Sequence, residues 1–256
     1  MLTMFSHCKL VILILALTPY YQVTRGVSGG HEAVPHSRPY MVIVEQHVKD
    51  DRTKYCSGFL LNEDFVMTAA SCQAKSYTVS LGVHNVQDNN EVQRISVEKS
   101  FPHKDYDPIN LKNDMMLLML KSKANLNKNV KPIALANKDD GPLPKSCTVS
   151  GWGRSNSSNY MSPVLMEVSV TLIDNEMCVQ NNLYCSHGDA GPEKGDSGGP
   201  LVCEDGKAYG VMSFKYKPAA DEPPLNCYTK IPEYRNQIDW ISENMSYLCI
   251  SGAREL

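Results

Sequence analysis

From Tyr40 to Lys230 this chain never holds one hydrophobic pattern long enough for an ordinary helix, and that is its strongest constraint on fold. Short β-prone runs follow one another between turn residues: Tyr40-Met41-Val42-Ile43-Val44, Phe59-Leu60-Leu61, Phe65-Val66-Met67-Thr68, Tyr77-Thr78-Val79-Ser80-Leu81 and Arg94-Ile95-Ser96-Val97. Met115-Met116-Leu117-Leu118-Met119-Leu120 is apolar throughout but too short for a typical helix, so it reads as a buried strand. The pattern resumes after Lys131 with Cys147 to Ser150, Leu165 to Leu172, Leu201-Val202, Tyr209 to Met212 and Cys227 to Lys230. Short strands at this spacing predict an all-β barrel or sandwich. One helix is predicted, Glu233 to Glu243, with Ile238, Trp240 and Ile241 as its apolar positions. Val27 to Pro39 reads as an extended arm, and the charged stretch Val48 to Tyr55 as a loop.

Residues 1–26 read as a signal peptide with a short propeptide, because Lys9 precedes the apolar run Leu10 to Leu17. Eight apolar residues are too few to span a bilayer, and no later run is long enough, so no membrane span is expected. This places the chain outside the cell or in a secretory granule. The leader carries Lys9 and Arg25 and no acid, so losing it takes the formal charge from −3 to −5. A mildly acidic chain gives no electrostatic case for nucleic acid as a partner.

Of the nine cysteines, Cys8 leaves with the leader, and an exported chain with the remaining eight implies disulfides. Eight cysteines allow 105 complete pairings, which these residues alone leave open. A metal site is not expected: no C-x-x-C pair occurs and no histidine clusters with the cysteines. No cofactor motif stands out either. Asn156 and Asn244 are N-x-[ST] acceptors that suit the same export route.

Gly195-Asp196-Ser197-Gly198-Gly199-Pro200, followed by the apolar Leu201-Val202, has the composition of a surface turn. It also suits a nucleophile whose target must meet backbone N–H donors. Other motifs decide between these. Val27-Ser28-Gly29-Gly30, Thr68-Ala69-Ala70-Ser71-Cys72, Asn113-Asp114-Met115-Met116-Leu117-Leu118, Gly151-Trp152-Gly153 and Tyr228-Thr229-Lys230-Ile231 accompany it in order. Together they resemble the chymotrypsin-type serine proteases over essentially the whole of residues 27–256. His31 to Met41 resembles the granzyme, cathepsin G and mast-cell protease branch.

The resemblance implies two antiparallel six-stranded β-barrels with a C-terminal helix. The first would cover about 27–131, the second with the helix about 132–245, and a tail 246–256. It implies Ser197 as nucleophile, Asp114 as orienting acid, and the N–H groups of Gly195 and Ser197 as oxyanion donors. At the position of the histidine base stands Ser71, with Cys72 holding the register. None of His31, His36, His47, His84, His103 and His187 matches a relocated base. By the same resemblance the disulfides are Cys56–Cys72, Cys147–Cys203 and Cys178–Cys185. An amine freed at Val27 would pair with Asp196. Gly191 would form the base of the specificity pocket, and Ser213, Phe214 and Lys215 its wall. Lys215 there narrows the mouth, and Asn226 stands where the branch often carries a selecting charge. No acid stands at the base, which argues against trypsin-like cleavage.

A serine hydroxyl needs a base to become a nucleophile, and Ser71 cannot cycle a proton near neutral pH as an imidazole does. The sequence therefore predicts a catalytically impaired homologue that binds peptide or protein ligands, protease inhibitors among them, through the cleft. The alternative is a serine endopeptidase of non-trypsin-like specificity that still works through Ser197, with a base from the substrate or from Lys194 or Lys215. Cys227 and Cys249 have no family partner. Cys227 reads as a buried thiol, and Cys249, in the expected tail, as the link of a disulfide-bonded dimer.

Overall fold

The computed structural model describes residues 27–48, 52–88, 90–154, 160–188, 190–219 and 221–251, with 246–251 as backbone only. The leader and Asn156 lie outside these described residues. Two closed antiparallel barrels make up the body. The first uses β2 (Met41–His47), β3 (Thr53–Leu60), β4 (Phe65–Thr68), β5 (Ser76–Leu81), β6 (Gln93–Pro102) and β7 (Met116–Leu120). Their order is β2-β3-β4-β7-β6-β5, closed by β5 on β2. The second uses β8 (Ser146–Gly151), β9 (Met166–Ile173), β10 (Leu183–His187), β11 (Pro200–Cys203), β12 (Ala208–Tyr216) and β13 (Leu225–Lys230). It runs β9-β10-β13-β12-β11-β8 and closes through β8 on β9. Closure leaves neither sheet with a long open edge.

Alternation sets the faces. In β9, Val168, Val170 and Leu172 are buried while Ser169 and Thr171 point out. β7 is buried at every position, as its uniformly apolar sequence predicts, because both of its faces are covered. The first core is built on Phe59, Phe65, Leu117 and Leu118 and continues through Val211 and Ile231 to Ile238 and Ile241. Those last two lie on α2 (Arg235–Ser251), so the C-terminal helix packs back onto the first barrel.

Several expectations change. β1 (His31–Glu32) pairs with the start of β9, so the arm grouped by sequence with the first barrel adds a strand to the second. Thr53–Tyr55, read as loop, extends β3 because Glu45–His47 of β2, paired with β5 on one edge, offer their other edge to it. β10 and the short α1 (Glu176–Gln180) were not expected; β10 carries only Leu183 and Tyr184 as clear strand formers, and its support is long-range pairing with β9 and β13. α2 runs to Ser251, so residues 246–251 are helical rather than tail and the backbone of Cys249 is in the helix. Trp240 is 57% exposed. Ile238 and Ile241 are three apart and share the buried face, which turns Trp240 toward solvent.

These positions give opposite expectations for truncation. Phe65→Ala, at 0% exposure, should lower unfolding free energy by about 3–5 kcal/mol. Trp240→Ala should change it by less than about 0.5 kcal/mol. Urea unfolding of the two variants checks both values.

Candidate active site

Three side chains, those of Ser71, Asp114 and Ser213, converge at the seam of the two barrels, and the backbone of Ser197 lies beside them. The first barrel supplies Ser71, in the 3-10 turn Ala70–Cys72 after β4, and Asp114, just before β7. The second supplies Ser197, in the loop before β11, and Ser213 on β12. Gly198 lets the barrels meet: a Cβ there, at φ +87°, would collide with Thr68 Oγ1 and the Ser57 carbonyl.

Asp114 is fully buried. Its Oδ1 accepts the Ser71 N–H at 2.6 Å, and its Oδ2 accepts the hydroxyls of Ser71 at 2.9 Å and Ser213 at 2.5 Å. Thr229 Oγ1 donates to the Asp114 carbonyl at 3.2 Å. Burial pushes this carboxyl up from its ordinary value, while the Ser213, Ser71 and Ala70 donors pull it back down. Ser71 itself is exposed.

Ser197 is half-buried. The Ser57 N–H donates to its carbonyl at 2.9 Å, and that carbonyl oxygen lies 3.8 Å from Cys72 Sγ, next to Ser71. Among the described residues its hydroxyl has no hydrogen-bond partner, and the N–H groups of Gly195 and Ser197 have no acceptor. Two unsatisfied donors beside a free hydroxyl are a ready site for an oxyanion.

Asp196 is buried, accepting the N–H of Gly153 at 2.6 Å and of Glu193 at 2.8 Å. Burial pushes it up to about 6, against those two donors. Val27 is fully buried, and Ser28 exchanges backbone hydrogen bonds of 2.8 and 2.9 Å with Gly191.

Asn226 is fully buried, and its Nδ2 donates to Ser186 Oγ at 3.2 Å and the Ala190 carbonyl at 3.1 Å. Its Oδ1 is buried without a partner. A Cβ at Gly191 would strike this amide, so only glycine fits there. Phe214 is half-buried on β12 beside Lys215, whose Nζ pairs with Glu193 Oε1 at 2.6 Å. Sequence reasoning missed Ser186 and Glu193. Glu193 lies two positions before Gly195 with no local pattern to mark it, and its pairing with Lys215 is a tertiary fact.

Disulfides join Cys56 to Cys72, Cys147 to Cys203 and Cys178 to Cys185, and Cys227 is a buried free thiol. His84 Nε2 lies 2.9 Å from Glu32 Oε1, His47 Nε2 lies 3.1 Å from Thr78 Oγ1, and His103 packs against Tyr234. No described histidine is hydrogen-bonded to Ser197 or Asp114. Among the described residues no helix is long and apolar enough to cross a membrane.

Two closed barrels with a serine loop and a buried aspartate at their seam define a trypsin-like fold. The chain belongs to the trypsin family of serine proteases: the family described as "Trypsin" matches residues 27–241. It is 37% identical to mouse granzyme B(G,H), covering 93% of this chain and 98% of that protein. It is also 37% identical to dog chymase, covering 93% and 97%. A solved structure described as "Structure of GrC" superposes with a TM-score of 0.74 at 34% identity, over 86% of this chain and all of that one.

Asp196 makes a pH prediction for the chain with the residues before Val27 still attached. A carboxyl raised from 3.8 to about 6 holds its proton more tightly when folded. Its contribution is therefore present below pH ~4 and lost as pH rises through ~6, about 3 kcal/mol in all. Asp114 acts in the same direction. Asp196→Asn should flatten the Asp196 share of this fall, read by urea unfolding between pH 4 and pH 7.

Proposed function

We propose that this trypsin-family homologue is catalytically impaired and acts by binding peptide or protein ligands through its cleft. The supporting observation is the environment of Ser71. As the residue in place of the histidine base, it spends both its hydroxyl and its N–H on Asp114. Ser197 is left with no side-chain acceptor among the described residues. Removing the histidine of a comparable triad costs on the order of 10⁶ in kcat and leaves roughly 10³–10⁴ over water.

The rest of the machinery supports an ordered cleft. Gly195 and Ser197 serve as oxyanion donors, and Val27, once its amine is free, is the partner of Asp196. Gly191, Ser213, Phe214, Lys215 and Asn226 line the specificity pocket. The Lys215–Glu193 pair narrows its mouth, and no acid is available to select a basic side chain. Secretion or granule storage is the matching location. Protease inhibitors are expected ligands only where they tolerate the narrowed mouth. A dimer linked through Cys249 belongs to the same proposal and predicts different gel mobility with and without reductant.

The free hydroxyl and unsatisfied donors keep a second reading in play, a serine endopeptidase that retains activity through Ser197. Lys215 does not serve it as base, because Glu193 holds it. The deciding experiment uses protein processed to begin at Val27. The unmodified form should resist an active-site phosphonate and hydrolyse peptide esters at near-background rates. Ser71→His should raise hydrolysis by at least about 10³-fold. Robust phosphonate labelling with turnover in the unmodified protein would sink the binding reading.

A further inference from the structure

One corner of the second barrel holds three cysteines that the cleft does not use. Cys178 of α1 is bonded to Cys185 of β10, and Cys227 of β13 lies opposite, its Sγ 3.7 Å from Cys185 Sγ. Cys178, Cys185 and Cys227 are all buried in one cluster with Leu183 and Leu225.

We propose that Cys178, Cys185 and Cys227 form a thiol–disulfide exchange centre that gives the folded chain two covalent isomers. The Cys227 thiol loses its proton and the thiolate attacks Cys185 Sγ. The Cys185–Cys227 bond forms, the Cys178–Cys185 bond breaks, and Cys178 leaves as a thiolate that takes up a proton. One disulfide and one thiol enter and leave, so no oxidant or reductant is consumed.

Two observations carry this. First, the attacking and attacked sulfurs are already in contact. Second, Cys185 and Cys227 are directly opposite on paired antiparallel strands. Such pairs hold their Cα atoms about 4.5–5.5 Å apart, within the range of about 4.4–6.8 Å that a disulfide tolerates. Cys147 and Cys203 stand in the same relation on β8 and β11, and there the bond is made.

What holds the present isomer is packing and slowness. Burial pushes the Cys227 thiol up to about 12, so the attacking thiolate is scarce. Exchange would release α1 from its covalent tie at Cys178 and leave it held by Met177 packing on the same buried cluster and by the local Asn175 cap on the Cys178 N–H at 3.3 Å. It would also tie β10 to β13 immediately beside Asn226 and Ser186, at the back of the pocket.

The test is a disulfide map. The exported chain is equilibrated in a glutathione redox buffer, quenched with N-ethylmaleimide in denaturant, digested without reductant and analysed by mass spectrometry. A peptide pair linked Cys185–Cys227, with alkylated Cys178, is expected in roughly a tenth or more of molecules. Finding Cys178 only in its bond to Cys185 would overturn the proposal. A second arm uses Cys178→Ser, first shown by circular dichroism to be folded. It should contain the Cys185–Cys227 bond, and finding both of those cysteines alkylated in the folded variant counts against the idea. If that variant does not fold, the map of the unmodified chain decides alone. Neither arm reads hydrolysis or ligand binding, so its outcome is independent of what the cleft does.

Discussion

A carboxylate buried at the seam of two barrels is the constraint on which the site depends. Asp114 has no access to water, and an ionised carboxylate in such a place is tolerated only when surrounded by donors. The first barrel provides Ser71 and Ala70 from one 3-10 turn, and the second provides Ser213 from β12. Thr229 of β13 fixes the backbone of the same residue. The carboxylate therefore ties both barrels to one point, and any shift between them would strip it of a donor. Gly198 serves that closeness from the other side, because a methyl group there would push the serine loop away from β4.

The same arrangement shows how the buried acid is satisfied without an imidazole. In a serine protease the buried acid is there to orient an imidazole. Here Ser71 takes up the carboxylate's capacity with its own hydroxyl and N–H, so the acid is satisfied, and among the described residues no side chain is hydrogen-bonded to the Ser197 hydroxyl. On the reading proposed above, loss of a base would carry little structural penalty, because a short donor takes the ring's place on the acid. It would carry a large chemical one, because a hydroxyl cannot store the proton that an attacking serine must release.

The second barrel is individual in two further places. Lys215 pairs with Glu193, and Asn226 is buried with its Oδ1 unpaired. Just behind them, three sulfurs share a corner where a single disulfide must choose between partners. Both features join residues far apart in sequence that the folding of the second barrel brings together.

The strands were legible because alternation and short apolar runs are local properties. Phe65–Thr68 appears at the boundaries its residues suggest, and β7 is buried as its composition requires. β10 was not legible, because its stability comes from β9 and β13 and little from its own residues. Trp240 was misjudged because apolar character does not say which helix face meets a neighbour. At the site, the sequence by itself determined the serine loop, the buried acid and the absence of a histidine beside Cys72, since each is an identity at a position within a motif. Only the tertiary structure decided that Ser71 caps Asp114, that Lys215 meets Glu193 and that Cys227 touches Cys185. Those contacts join residues 43, 22 and 42 positions apart, and the closure of two barrels is what brings them within bonding distance.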